Sequence, residues 1–407
     1  MSALKIIPIS QLQPGMFVAR VVKQTGRVKV KSQGWVKTKT AIESLSKAGI
    51  VEVEIDPDKT LDLTPKAKPT PDEPSSTANI SKESEKSSPW HKSSSIDAEL
   101  DIANTLYQEA KQLQQKAFDD IKAGRTIDVE QFQSAATGIM DSIFRNQDAL
   151  SCIARIREKD AYLLEHSLNV SILISIFAKH LGMDKAIIEQ LATGALLHDI
   201  GKIQVPDEVL HKPGKLTPEE FAIIQQHALF SKEIVEKAGL PEIACHIAGF
   251  HHERLDGTGY PYRLKGDDIS IYVRMASIVD VYDALTAERV YKPGMTPLQA
   301  FKYLKENCPH HFDPSLVTQF IQCIGLYPVG TLVKLRSQKI GIIAESNPNA
   351  PLKPIVKVFY SIRAMHYTPV QNIDLSSKRV DDELEAAIKP EEFGIDLIRF
   401  FKQSMMP

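Results

Sequence analysis

The sequence predicts a mainly α protein: a helical bundle flanked by a small α+β unit at the N-terminus and a short β-rich extension at the C-terminus. Three observations predict it. From Asp128 to about Leu326, apolar residues recur at helical spacing in one segment after another. Before Lys66 the runs MFVARVVK and RVKVKS alternate as strands do and are punctuated by glycine. After Leu326 the runs TLVKLRS, KIGIIAES and PIVKVFYS are again short and β-branched, with turn signals between them.

At 407 residues the chain has room for two or three hydrophobic cores. Residues 1–65 form the α+β unit, in which AIESLSKAGIVEVEID reads as a short helix, a glycine turn and a strand. Residues 66–96 shift to Pro, Ser, Lys and Glu, which bury too little apolar area to offset the entropy of ordering, so they are expected to be a flexible linker. Residues 97–134 connect this linker to the bundle, chiefly through one long helix, IDAELDIANTLYQEAKQLQQKAFDDIKAG. Its apolar face needs a partner. That partner is either the chain's own core or a second copy, so a homodimer is one expectation.

Residues 135–327 make the bundle. VEQFQSAATGIMDSIFRNQDALSCIARI leads to AYLLEHSLNVSILISIFAKHLG, which stops at Gly182 as a C-cap, and then to MDKAIIEQLATGALLHDIG. Thr217-Pro218-Glu219-Glu220 is a capping box with Pro at the first helical position, and it opens a helix expected to carry His227 on its third turn. A further helix runs from Pro241 towards His251, and ISIYVRMASIVDVYDALTAE bears Asp280. Residues 328–407 form the β-rich extension and are expected to end in a helix near EEFGIDLIRFFKQ.

The formal net charge of −2 argues against broad electrostatic binding to nucleic acid or to a membrane surface, so any basic site is expected to be local. Cys152, Cys245, Cys308 and Cys323 have no paired spacing, which points to reduced thiols rather than zinc-thiolate or disulfide sites. No run approaches the roughly 20 apolar residues of a membrane span, and the N-terminus lacks the pattern of a secretory signal. A soluble, cytoplasmic protein is expected.

Chemistry concentrates in LLHDIGK, where His198 and Asp199 are adjacent at the end of an apolar helical run. His166, His227, the pair His251 and His252, and Asp280 offer further imidazole and carboxylate ligands, each on or at the end of a helix. Imidazole with carboxylate and no thiolate suits iron, manganese, zinc or nickel. The set is too large for one ion and fits two, with Asp199 as the bridge. Two metals sharing a water are suited to phosphoester hydrolysis. Lys202 follows within one turn and can meet a phosphate as a point charge, while Asp283 is placed to orient a ligand. Arg289 and Lys292 add positive charge beyond the Asp280 helix, and LDGTGYP is a structured turn. His246 reads as a core or supporting residue, and His180, His211, His310 and His311 have no partner pattern.

Taken together, the segments HDIGK, HHERLDGTGYP and SIVDVYDALTAERVYK resemble the HD-GYP phosphodiesterases, bacterial enzymes that hydrolyse cyclic di-GMP. The resemblance covers roughly residues 135 to 327; more weakly, the N-terminal unit resembles the small domain often found before such modules. It implies an HD-type helical bundle in which His166, His198, Asp199 and Asp280 hold one ion, and Asp199, His227, His251 and His252 the other. Iron or manganese is implied as the metal. Lys202 would lie near the scissile phosphate, with Arg289 and Lys292 on the guanine or phosphate side. The resemblance also implicates Gly259, Tyr260 and Pro261 in contacts with diguanylate cyclase domains. Some members recruit a third metal through a Glu four residues before the first His, but that position here is Tyr162, so two ions are expected. The implied reaction opens cyclic di-GMP to pGpG or GMP. The alternatives are a receptor or scaffold without turnover, a hydrolase of 3′,3′-cyclic GMP-AMP, or a nucleotide phosphohydrolase of the wider superfamily, which would leave the GYP segment unexplained.

Overall fold

A computed structural model of the chain describes residues 5–13, 16–25, 34–36, 42, 45, 49–56, 92–155, 162–212, 214–287, 294–347 and 349–395. Two units result, divided between Glu83 and Ser84. The expected linker falls almost wholly on residues 57–91, outside the described set.

In the first unit, β1 (Lys5–Pro8), β2 (Phe17–Gln24), β3 (Gly34–Trp35) and β4 (Ile50–Asp56) form an antiparallel sheet in the order β1-β4-β2-β3. Its small core gathers Ile7, Leu12, Val18, Val36, Ile50, Val53 and Ile55. Of the short helix expected before β4, Ile42 and Leu45 are described, and both are helical.

The second unit begins with α1 (Ile96–Lys122), whose first turn is capped by Ser95 accepting from the Ala98 N–H. Leu100, Ala103, Tyr107, Ala110, Gln114 and Ala117 make a buried stripe at helical spacing. The stripe packs on α2 (Val129–Ala154) and α3 (Tyr162–His180). The face that needed a partner is therefore covered by the chain's own core, and its burial requires no second copy. α2 kinks at Asn146, whose side-chain amide donates to the Ser94 carbonyl at 3.0 Å. α4 (Lys185–Leu197) lies between α2, α3 and α8 (Glu242–Phe250). A one-turn α5 (Asp207–Leu210), α6 (Pro218–Gln225) and α7 (His227–Lys237) complete one side. α9 (Ile271–Thr286), α10 (Pro297–Glu306) and α11 (Pro314–Ile324) complete the other. Tyr282 stacks on Phe301 at 5.2 Å, and Phe320 meets Phe177 edge-on at 5.3 Å, which locks α9 against α3, α10 and α11.

The capping box at Thr217 forms as expected, but its helix stops at Gln225. His227 therefore opens α7 and does not sit on the third turn of the earlier helix. Its imidazole takes the Ile224 carbonyl at 2.6 Å, where the helical ladder is interrupted.

The C-terminal sheet has the order β8-β7-β6-β5-β9, all antiparallel, from β5 (Leu332–Leu335), β6 (Lys339–Glu345), β7 (Ile355–Ser361), β8 (His366–Asp374) and β9 (Leu384–Ala387). β8 and β9 were not anticipated. β8 is a largely exposed edge strand containing Pro369, so its sequence lacks the alternation of a half-buried strand. At the α2 kink, Asp148 accepts from the Ser346 N–H at 3.1 Å and from Lys92 at 2.6 Å, joining the sheet to the bundle. The expected terminal helix is, over its described part, a single 3-10 turn, Pro390–Phe393; residues 396–407 lie outside the described set.

Candidate metal centre

α4 ends at Leu197 with His198 as its C-cap, and the chain turns into a 3-10 segment, Ile200–Gln204, directly after Asp199. Two contacts fix that corner. Gln114 of α1 donates to the Leu196 carbonyl at 3.0 Å, and the Gly201 N–H donates to the Ser231 hydroxyl of α7 at 2.9 Å. Gly201 is required by close approach, since a Cβ there would lie 2.3 Å from the His227 carbonyl oxygen and 2.4 Å from the Ser231 nitrogen. The glycine of HDIGK thus lets the Asp199 turn lie flat on the helix that delivers His227.

Around Asp199 the remaining ligands arrive from four helices. His166 comes from the first turns of α3, His227 from the start of α7, His251 and His252 from the end of α8, and Asp280 from the middle of α9. The Asp199 carboxylate divides them. Its Oδ2 lies 3.5 Å from His198 Nε2 and 3.7 Å from His166 Nε2, whereas its Oδ1 lies 3.3 Å from His227 Nε2 and 3.9 Å from His251 Nε2. Asp280 closes the first half, with Oδ1 3.0 Å from His166 Nε2 and 4.0 Å from His198 Nε2. Its Oδ2 is 3.8 Å from His252 Nδ1. Two ligand clusters sharing Asp199 result, His166-His198-Asp199 and Asp199-His227-His251-His252.

Ring tautomers show what this cluster is for. His198, His227 and His251 each direct Nδ1 at a backbone carbonyl, of Ala195, Ile224 and Ile247 respectively, at 2.6 to 3.0 Å. A carbonyl only accepts, so each Nδ1 carries the proton and each Nε2 is left with a bare lone pair. Those lone pairs face carboxylate oxygens, an arrangement that is repulsive unless a cation lies between them. In keeping with this, His198 Nε2 and Asp199 Oδ1 are buried without a hydrogen-bond partner. The donor set fits divalent metal ions.

Protonation follows the same logic in the metal-free chain. Burial lowers the pKa of His198 and takes that of His251 well below its ordinary value, and it pushes His252 down to about 3. His166 is the exception. Burial opposes its charge, but hydrogen bonds to Asp280 and Asp283 on opposite ring nitrogens raise it to about 9. Asp199 is held well below the carboxylate range despite its burial, chiefly by the Lys202 ammonium 2.5 Å from Oδ2. Asp280 is held down by His166 in spite of its burial.

These shifts predict the pH dependence of the metal-stripped chain. Unfolded, each histidine binds its proton near pH 6.5. Below that value the unfolded chain takes up protons that native His198, His251 and His252 refuse, so stability falls on acidification. Above it, native His166 keeps a proton that the unfolded chain releases, and its contribution is lost as pH rises through 9. Melting temperature is expected to peak near pH 6.5, with the steeper fall on the acid side. Calorimetric melts from pH 5 to 9 measure it, and a flat profile would show these histidines to be unshifted.

Among the other candidates, Asp283 sits where it can orient a ligand: its Oδ2 is 2.8 Å from His166 Nδ1. Asp283→Asn is expected to weaken metal binding by about 10–100-fold without unfolding the chain, as read by competition with a chromophoric chelator. Lys202 is placed on Asp199 rather than standing free. Gly259 is buried and leaves no room for a side chain, since a Cβ would lie 2.4 Å from the Arg254 nitrogen. Tyr260 is half-buried, its ring 4.6 Å from that of His252, so it walls the centre. Arg289 and Lys292 lie outside the described residues, as does the side chain of Tyr162. The sequence reading missed Glu253, a buried carboxylate that accepts from the Tyr262 and Leu264 N–H groups at 2.7 and 3.0 Å and so fixes the turn carrying Tyr260. It also missed Gln114 and Ser231. Nothing in their local sequence sets these apart from surface polar residues.

Residues 150–316 match the HD domain family, and residues 4–132 match the family described as Domain of unknown function (DUF3391). The chain is 33% identical over 384 residues to a cyclic di-GMP phosphodiesterase of Pseudomonas aeruginosa, covering 94% of this chain and 91% of that protein. It is 40% identical over 171 residues to 3′3′-cGAMP-specific phosphodiesterase 2 of Vibrio cholerae, covering 42% of this chain and 32% of that protein. Among solved structures, an HDG"Y"P protein from Bdellovibrio bacteriovorus matches with a TM-score of 0.46 at 19% identity, over 78% of this chain and 98% of that one.

Proposed function

The chain belongs to the HD-GYP cyclic di-GMP phosphodiesterase family, and from that premise we infer that it hydrolyses cyclic di-GMP at a centre of two divalent cations bridged by Asp199. The observation that carries this reading is the division of the Asp199 oxygens between His198 on one side and His227 and His251 on the other, all three with bare Nε2 lone pairs. One ion would be held by His166, His198, Asp199 and Asp280, the other by Asp199, His227, His251 and His252. Oxygen and nitrogen donors without thiolate suit iron or manganese. When bound, the pair supplies an activated water and neutralises charge on the phosphate oxygens.

The chain's own groups do the rest. Asp283 keeps the His166 ring aimed inward, and Lys202, on a flexible stem beside Asp199, is within reach of an incoming phosphate oxygen. Arg289 and Lys292 are assigned to the phosphate or guanine side of the substrate. Tyr260 presents a ring face beside His252 and shields the centre from solvent. A cyclase domain meeting the Gly259-Tyr260-Pro261 turn would find Tyr262 and Arg263 exposed beside it. Assignment of residues 1–65 and 135–327 to sensing and catalysis, with 97–134 between them, belongs to the same proposal. So does a cytoplasmic site of action; among the described helices none is long and apolar enough to cross a membrane. Hydrolysis of 3′,3′-cyclic GMP-AMP is the second reading, favoured by the identity to a relative named for that substrate.

The test is anaerobic purification with metal analysis, incubation with each cyclic dinucleotide, and chromatography of the products. Formation of pGpG or GMP from cyclic di-GMP supports the first reading. Turnover of cyclic GMP-AMP alone supports the second. Metal-loaded protein that turns over neither would refute both and leave a receptor.

A further inference from the structure

Helix α1 lies outside the stretch matched by the HD domain family, within residues 4–132, yet it builds one side of a groove that shares Lys202 with the metal centre. The groove has a volume of about 240 Å³. Gln115, Phe118 and Asp119 of α1 line one side, and Lys202, Leu210 and His211 the other. Lys202 is the link to the chemistry, because its ammonium lies against the bridging carboxylate of Asp199. A ligand whose phosphate reached Asp199 past Lys202 would therefore extend its remaining bulk along α1.

We propose that this groove is a guanine subsite, in which one base of the substrate lies between Phe118 and Leu210 and is read at its edge by Asp119 and Gln115. The proposal rests on the reading of the centre as a cyclic dinucleotide phosphodiesterase. Its first support is rigidity. Three polar contacts on one face of α1 fix it to the helices that carry the ligands: Tyr107 hydroxyl to Asn169 at 3.1 Å, Lys111 to Glu165 at 2.8 Å, and Gln114 to the Leu196 carbonyl at 3.0 Å. Glu165 precedes His166, and Leu196 lies two residues before His198. Phe118 falls one turn further along the same face, so the groove wall is positioned by the framework that positions the metal ligands.

The second support is chemical matching. Guanine presents two neighbouring donors, its ring N1–H and its exocyclic amine, which suit the paired oxygens of one carboxylate; adenine has an acceptor at N1 in that place. Asp119 is exposed on the groove wall; its Oδ1 accepts from the Gln115 amide at 3.3 Å, which leaves Oδ2, a second lone pair on Oδ1 and the amide's carbonyl oxygen for a ligand. Phe118 is half-buried and offers an aromatic face to a base plane.

Calorimetric titration of the manganese-loaded full chain with GMP and with AMP tests the assignment without requiring turnover. The wild type is expected to bind GMP roughly tenfold more tightly than AMP, the size of one charge-assisted hydrogen-bond pair. Asp119→Ala should bring GMP down to the affinity of AMP while AMP stays where it was. Phe118→Ala should weaken both by a similar factor. Melting temperature and metal content of the variants verify that the fold is intact. Equal affinities in the wild type, or an Asp119→Ala variant that keeps the preference or loses both nucleotides equally, would overturn the subsite. Failure of the wild type to hydrolyse cyclic di-GMP would instead overturn the phosphodiesterase reading, and the titration would still report on the groove.

Discussion

Asp199→Ala is expected to lose turnover of cyclic di-GMP by a factor on the order of 10³ or more, together with at least one of the two proposed metal ions. The size follows from position. Both Asp199 oxygens face imidazole nitrogens, Oδ2 towards His198 and His166, and Oδ1 towards His227 and His251. Asp280 also reaches both groups, but it meets the second only through His252, at 3.8 Å, whereas Asp199 meets two histidines on each side. Metal centres supply several kcal/mol of transition-state charge stabilisation, and about 1.4 kcal/mol corresponds to tenfold in rate. Residual activity within tenfold of wild type would show that the site works without its bridge. The loss should not come from unfolding. Asp199 is stabilised as a carboxylate by Lys202 in the metal-free chain, so the metal-free variant is expected to melt lower than the metal-free wild type, and turnover is compared well below both melting temperatures.

Gly201→Ala is expected to have the next largest effect, through the backbone rather than through a ligand. The added methyl would overlap the His227 carbonyl oxygen and the Ser231 nitrogen, neither of which can rotate aside. Overpacking of this kind costs about 1–3 kcal/mol. Relief requires the Asp199 turn to lift from α7, which breaks the hydrogen bond from Gly201 to Ser231 and widens the 3.3 Å gap between Asp199 and His227. The ion on the His227 side should therefore be bound more weakly than the one on the His166 side. Denaturant melts of the metal-free chain and stepwise metal titration measure the two consequences separately. Equal weakening of both ions would show that the turn moves as a whole and does not lift from α7.

How much of this was legible beforehand depends on whether the information is local. His198 and Asp199 are adjacent, and His251 and His252 are adjacent, so the sequence itself places four ligands in two pairs. The helices carrying them are patterned strongly enough that their existence and order were predictable. What the sequence conceals is set by contacts between distant segments. The run EEFAIIQQHAL has unbroken helical patterning, and only the imidazole of His227 taking the Ile224 carbonyl reveals the break before α7. Gln114 looks like a solvated position on a polar helix until the fold brings the Leu196 carbonyl to it. Glu253 is hidden for a related reason. A carboxylate beside two histidines suggests another ligand, whereas the structure spends it on two backbone N–H groups. β8 went unseen because an exposed edge strand has no buried face to imprint a pattern.

The measurement that bears most directly on the proposed function is electron paramagnetic resonance of the manganese-loaded chain, beside metal analysis of the same sample. A pair of ions bridged by one carboxylate predicts two manganese per chain and the many-line spectrum of coupled spins, lost in Asp199→Ala. Two manganese per chain with the six-line spectrum of isolated ions, unchanged in the variant, would contradict the bridge and with it the assignment of Asp199.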